Sequence, residues 1–181
     1  MSVLAAFGFV FIIASFQAVS GPAYAIYGIR PDFIILSIVT IGILLPPPAI
    51  YASAFFAGAL LDALSPGVAG PHMTGFLLSA LLMVRGRRMG IGATAKGKAL
   101  LVSAGILAAS AAPQTARWIL EGPELDSALG IAATFAYTTL FAYPFFRVLG
   151  PAIKWAAPVS YTHLRAHETE ADLVCRLLLE K

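Results

Sequence analysis

Uncharged apolar runs, separated by short polar or proline-rich breaks, organise this chain. The first extends from Ser2 to about Val19, within a stretch (residues 1–29) that carries no charged side chain. The second, Phe33 to Leu45, opens behind Pro31 and is stopped by Pro46-Pro47-Pro48. The third, Ala49 to Leu64, ends at Ser65-Pro66-Gly67, a turn signal. The fourth runs from about His72 to Val84 and is closed by Arg85-Gly86-Arg87-Arg88. A fifth covers about Ala99 to Trp118, and a sixth about Ser127 to Leu149. A helix needs about 20 predominantly apolar residues to cross a bilayer, fewer where it is re-entrant or the membrane thins. The pattern therefore predicts an all-α chain of about six transmembrane helices, two or three of them short. The second run rises only about 20 Å unless its helix starts a turn earlier, near Ile29. The segments around Ala49 and Met73 also fit one broken hairpin.

Composition points the same way. The chain is 59% hydrophobic and 12% charged, with a mean hydropathy of +0.85, whereas a soluble domain carries about 25% charged residues. The first run superficially resembles a signal peptide, because Ala23-Tyr24-Ala25 has the form of a cleavage site. It lacks the basic leader and short apolar core of one, so a retained first helix is expected. Cys175 is the only cysteine, which excludes a disulfide framework or a cysteine metal cluster. His72, His163 and His167 do not have zinc-site spacing, and no metal or cofactor is expected. The net charge of +3 reflects membrane topology, not a nucleic-acid surface, because the bases are concentrated in one loop. Arg85, Arg87, Arg88, Lys96 and Lys98 stand there without an acid, and Arg147 and Lys154 follow the sixth run. The opposite side holds Arg30 and Arg117 with Asp32, Asp62, Glu121, Glu124 and Asp126. The excess of Lys and Arg on cytoplasmic loops places both termini inside. Trp118, Trp155, Tyr24 and Tyr27 then fall near the two interfaces.

An abrupt shift begins near Pro158. Residues 158–181 contain three bases, four acids, two histidines and the cysteine. The strings Tyr161 to Thr169 and Leu173 to Lys181 resemble a tail found on unrelated translated sequences, of adapter or vector origin. Residues 1–157 are thus expected to form the transmembrane domain and 158–181 a non-native tail. The alternative is a cytoplasmic amphipathic helix with Leu173, Leu177 and Leu178 on one side.

Polar groups within apolar spans are the candidate functional residues. Asp62 follows Ala54 and Gly58 at four-residue steps, so the three share one helix face. Small residues leading to a carboxylate fit close approach of a neighbouring helix; a carboxylate that ends its helix at the outer interface fits equally. Arg30-Pro31-Asp32 opens the second helix, with proline at its start and an acid beside the positive end of its dipole. Arg30 gains nothing from that dipole, and its expected partner is Asp62, of opposite sign on the same side, or a partner protein at the outer surface. His72, after Gly70-Pro71, begins the fourth helix as an interfacial residue. Gln17, Gln114 and Arg117 are placed for interhelical hydrogen bonds, and Ala104, Ala108 and Ala112 form a small-residue ridge for packing.

No metalloprotease, nucleophile-elbow, phosphate-loop or paired-aspartate signature occurs in the sequence. The glycine-rich segment from Gly86 to Gly97 has no strand before it to make a nucleotide site. Residues Gly28 to Leu36, with Gly58 to Gly70, resemble the rod shape-determining protein MreD family. The resemblance rests on Pro31 and Asp32 opening the second helix, then the G-x-x-x-D pair Gly58 and Asp62, then a turn containing Gly70. It departs at Pro46-Pro47-Pro48, where that family more often has polar or basic residues. It implies a non-enzymatic subunit of the bacterial cell-elongation complex in the inner membrane, with an MreC-like protein among its partners. The implied fold is similar to the substrate-binding subunits of energy-coupling-factor vitamin transporters. A vitamin-binding subunit is therefore the competing reading, and it requires a deep polar or aromatic pocket near the outer face. Deleting Pro158 to Lys181 is expected to leave membrane insertion unchanged, checked by membrane fractionation; loss of insertion would show that the tail belongs to the fold.

Overall fold

The computed structural model describes residues 3–27, 29–65, 69–121 and 125–156. They form α1 (Val3–Ser20), α2 (Phe33–Leu44), α3 (Pro47–Leu64), α4 (Pro71–Arg88), α5 (Ala95–Glu121) and α6 (Leu125–Ala156), with single 3-10 turns at Gly21–Tyr24 and Ile91–Ala93. Among the described residues there is no β-sheet, only an isolated bridge between Ile26 and Ile29. Four segments are long and apolar enough to cross a membrane: Ala6–Tyr24, Pro47–Leu64, Ala95–Ala116 and Leu129–Ile153. Phe33–Leu44 is apolar but shorter, and α4 carries Arg85, Arg87 and Arg88 in its last turn. The region 158–181 lies outside the described residues.

Helices outrun the apolar stretches that announce them. α4 continues through its arginines, α5 takes in Lys96 and Lys98, and α6 extends to Ala156. Charged side chains are good helix formers where water reaches them, so hydropathy marks the lipid-compatible part of a helix and not its ends. Pro113, Pro144 and Pro151 lie inside helices, as neighbouring helices permit in a membrane bundle. The proline triplet both separates and starts: α2 has ended at Leu44, Pro46 is the extended N-cap of α3, and Pro47 occupies its first turn. There a missing N–H costs nothing, because no carbonyl precedes it to accept. The stretches around Ala49 and Met73 belong to two separate 18-residue helices, which replaces the broken-hairpin alternative.

α2 is the axis of the bundle. Every residue from Phe33 to Gly42 is buried, and α2 contacts all of the other helices. That is why its sequence has no polar face: a helix surrounded by protein is apolar all round. Leu36, Ile38, Val39 and Ile41 belong to one core with Val10 of α1, Ile50 of α3, Phe76 and Met83 of α4 and Ile106 of α5. At its N-terminal end the Phe33 ring stacks on Phe145 at 6.0 Å and meets Phe141 edge-on at 5.8 Å, joining α2 to α6.

A helix with this position must satisfy its end groups from protein atoms, because the N–H groups of its first turn and the C=O groups of its last have no partners within it. Asp32 Oδ1 accepts from Ile34 N (2.9 Å) and Ile35 N (3.1 Å). Gln17 Oε1, reaching across from α1, accepts from Phe33 N (2.7 Å) and Ile34 N (3.1 Å). Asp32 N donates to Thr138 Oγ1 of α6 (3.0 Å). At the other end Arg87 of α4 donates through Nη1 to Gly42 O (2.8 Å) and Leu45 O (2.6 Å). With Asp32 as its N-cap, α2 starts at Phe33 and not a turn earlier near Ile29. Gln17→Leu is expected to destabilise the detergent-solubilised protein by about 1–3 kcal/mol, the cost of stranding a buried donor. Gln17→Glu keeps an acceptor and should lose less. Thermal unfolding of the two variants checks this, and equal loss would discount the cap.

Candidate functional site

The residues singled out in the sequence converge at the end of the bundle where α2 and α4 begin. α4 starts at Pro71 behind Gly70, whose φ of 122° suits a residue without a Cβ. Gly70 has no side chain with which to cap the helix. The cap comes instead from α3. Asp62 Oδ2 accepts from Gly70 N (2.9 Å) and Met73 N (3.1 Å), and Oδ1 accepts from His72 N (3.0 Å). His72 Nδ1 lies 2.9 Å from the same Oδ1, an ion pair when the ring carries both protons. One buried carboxylate thereby collects the first N–H groups of a neighbouring helix, where the positive end of the dipole favours it.

Gly58 makes this contact possible. It lies one turn before Asp62 on the same buried face as Ala54. A Cβ on Gly58 would collide with Met73 Cα and come within 2.7 Å of Met73 N. The first turn of α4 therefore rests directly on the α3 backbone, within reach of Asp62. Of the two roles set out for Asp62, the structure has the close helix approach; α3 itself runs on to Leu64 and closes through Ser65 N on Leu61 O, so Asp62 starts α4 and does not end α3.

The expected Arg30–Asp62 pair does not form. Asp62 is spent on α4, and Arg30 is exposed, its side chain extending past Gly21. Four donors within the α3–α4 turn leave that carboxylate no reason to recruit a distant guanidinium. Pro31 is buried and Asp32 half-buried at the head of α2. Gln17 makes an interhelical bond, but to backbone and not to another side chain. Ala112 of the α5 ridge approaches Gly75 of α4, in keeping with a packing role.

Asp32 and His72 also line a cavity of about 110 Å³ among α2, α4, α5 and α6, together with Ser110, Gln114 and Thr134. Its polar walls carry chemistry only if the groups are free to act. Ser110 Oγ donates back to its own helix, at Ile106 O (2.9 Å) and Leu107 O (3.2 Å). Asp32 Oδ1 holds the α2 cap, and His72 is turned to Asp62. An Asp–His pair orients a base in many hydrolases, but here the nearby hydroxyl is directed at carbonyls. Among the described residues no three His, Cys, Asp or Glu side chains gather closely enough to hold a metal.

No protein-family model, curated protein or solved structure matches this chain.

Arg87 was legible only as one charge in a basic loop; its grip on the end of α2 depends on tertiary placement that no local pattern encodes. Thr138 is hidden for the same reason. Gln17, the one amide in an uncharged run, did carry a signal. Asp62→Ala is expected to lower stability by about 1–3 kcal/mol through stranded donors, and Gly58→Ala should destabilise in the same direction by parting α3 from α4. Arg30→Ala should stay within about 0.5 kcal/mol of the parent. Thermal unfolding separates the cases: a loss for Arg30→Ala matching that for Asp62→Ala would restore the discarded pair.

Proposed function

We propose that this chain is a non-enzymatic, six-span subunit of the bacterial cell-elongation machinery, resembling MreD, in the inner membrane with both termini in the cytoplasm. The observation that carries the proposal is how the polar residues at the α2 and α4 starts are used. Asp32, Gln17, Asp62 and the backbone of Gly70 to Met73 are engaged in fixing helix ends, as a scaffold requires and a ligand container does not. Pro31, Asp32, Gly58, Asp62 and Gly70, which carry the resemblance, all lie in those two junctions.

The competing reading, a vitamin-binding transporter subunit, fits poorly. Small-molecule sites occupy about 300–1,000 Å³, and the cavity that Asp32 and His72 line among the described residues offers about 110 Å³. That is room for roughly three or four water molecules at about 30 Å³ each. Six spans are favoured over four because α2 and α4 are integral to the packing. The axis of the bundle is α2, and α4 is shorter in hydropathy only because its arginines cluster in the last turn. Those arginines, with Lys96 and Lys98, set the orientation.

Co-expression with a single-span, coiled-coil MreC-like protein tests the function. The two are expected to co-purify in mild detergent, and a reporter inserted at Gly92 to be active only in its cytoplasmic form. Failure to co-purify, combined with saturable vitamin binding by the isolated chain, would favour the transporter reading instead.

A further inference from the structure

The basic end of the bundle holds a different kind of site. Between the end of α2, the end of α4 and the start of α5 lies a cleft of about 260 Å³, more than twice the volume of the outer cavity. Arg87 and Lys98 stand on its walls, Gly90, Gly92 and Ala93 form its rim, and Ile43 and Leu101 supply apolar surface. Arg87 is held in place: Nη1 is bonded to Gly42 O and Leu45 O, which leaves Nε and Nη2 as donors. A second cleft of about 240 Å³ opens where Arg87 meets Arg88, Val84 and Pro47. From Arg85 to Lys98 the chain has five cations and no acid, so the field at this end is uncompensated from within its own segment.

We infer that the Arg87–Lys98 cleft binds the headgroup phosphate of an anionic glycerophospholipid. A positioned guanidinium with free N–H donors and a facing ammonium match a phosphate diester in charge and hydrogen bonding. The apolar side of the cleft decides between a lipid and free phosphate. Ile43, half-buried, with the edge of the buried Leu101, puts apolar surface beside the two cations, which a glycerol and acyl chain can use and inorganic phosphate cannot. Leu100 and Met89, next to lining residues in the chain, are 62% and 74% exposed, so apolar surface is presented at this end of the bundle outside the cleft as well. Basic pockets between transmembrane helices on the cytoplasmic side take lipid headgroups of this kind. The inference rests on the membrane-spanning reading and its orientation, and not on membership of an elongation complex. The bound lipid would tie the α4–α5 loop to the end of α2 through Arg87, the residue they share.

The test uses the full chain in nanodiscs of phosphatidylcholine with increasing phosphatidylglycerol, and reads lipid retention by native mass spectrometry and thermal midpoint. Arg87 is a poor probe because it also holds α2, so Lys98→Gln is the informative variant. A cation near an anionic lipid is worth about 1 kcal/mol, so phosphatidylglycerol affinity should fall about fivefold. Lys96→Gln, which removes an exposed cation outside the cleft, should change it less than twofold, an order-of-magnitude bound on diffuse attraction at this surface. Equal losses for the two lysines would overturn the proposal in favour of diffuse attraction. Stabilisation by inorganic phosphate in pure phosphatidylcholine, equal to that by phosphatidylglycerol, would overturn the lipid assignment and leave a free-phosphate site. A co-purification failure with the MreC-like protein would leave this result intact.

Discussion

Placing α2 on the axis of the bundle creates a problem that the rest of the molecule is arranged to solve. Its side chains are cheap to bury, since Phe33 to Ile41 are apolar apart from Ser37 and Thr40, whose hydroxyls bond carbonyls of their own helix. Its ends are not. A 12-residue helix packed against all the others still leaves the N–H groups of its first turn and the C=O groups of its last without partners of its own, and these must be met by protein atoms. α1 supplies Gln17, α6 supplies Thr138, the chain itself supplies Asp32, and α4 supplies Arg87. Three surrounding helices are thereby locked to the axis by hydrogen bonds whose loss would strand buried groups. Apolar packing alone, which in lipid has little to distinguish one helix partner from another, would not impose that order.

The same logic governs α3 and α4, with the direction of help reversed. α4 cannot cap itself, because Gly70 is needed for the positive φ of the turn. The carboxylate must then come from elsewhere, close to the first turn of α4, and α3 can offer it only if nothing separates the two backbones. Spacing of four residues between Gly58 and Asp62 puts the gap and the carboxylate on one face, a turn apart. Gly58 lets Met73 in, and Asp62 receives its N–H. A larger residue at the first position disables the second without touching it. This coupling is a physical reason for the G-x-x-x-D pattern that does not depend on any reaction.

Much of this was readable from sequence, and the limits follow from what each feature depends on. The all-helical class and the order of the elements come from runs of uncharged residues, a property local to each segment. Pro31-Asp32 announces its own helix start because capping is decided within a few residues. The Asp62 face was visible through its period, but its partner was not. Opposite charge on the same side pointed to Arg30, while the actual donors are backbone N–H groups, which every sequence contains and none displays. Helix ends were underestimated wherever charged residues continued a helix into water, as at Arg85 to Arg88 and at Lys96 and Lys98. The capping roles of Arg87 and Thr138 were out of reach, since they exist only once α4 and α6 are packed on α2.

The two ends of the bundle use charge in opposite ways, and this separates structure from exchange with the surroundings. At the end where α2 and α4 begin, two carboxylates are engaged in helix ends: Asp62 by three backbone N–H groups and a histidine, Asp32 by two N–H groups. Both oxygens of Asp62 and Oδ1 of Asp32 are thus occupied, and the cavity that Asp32 lines measures about 110 Å³. At the other end five cations are gathered and only Arg87 is committed, to the carbonyl end of α2, where the helix dipole favours a positive group. Among the described residues the other four cations have no ion pair, and all five are exposed. Asp32 and Asp62 are therefore turned inward to helix ends, while the cations of the opposite end stand at its surface, where only Arg87 closes a helix.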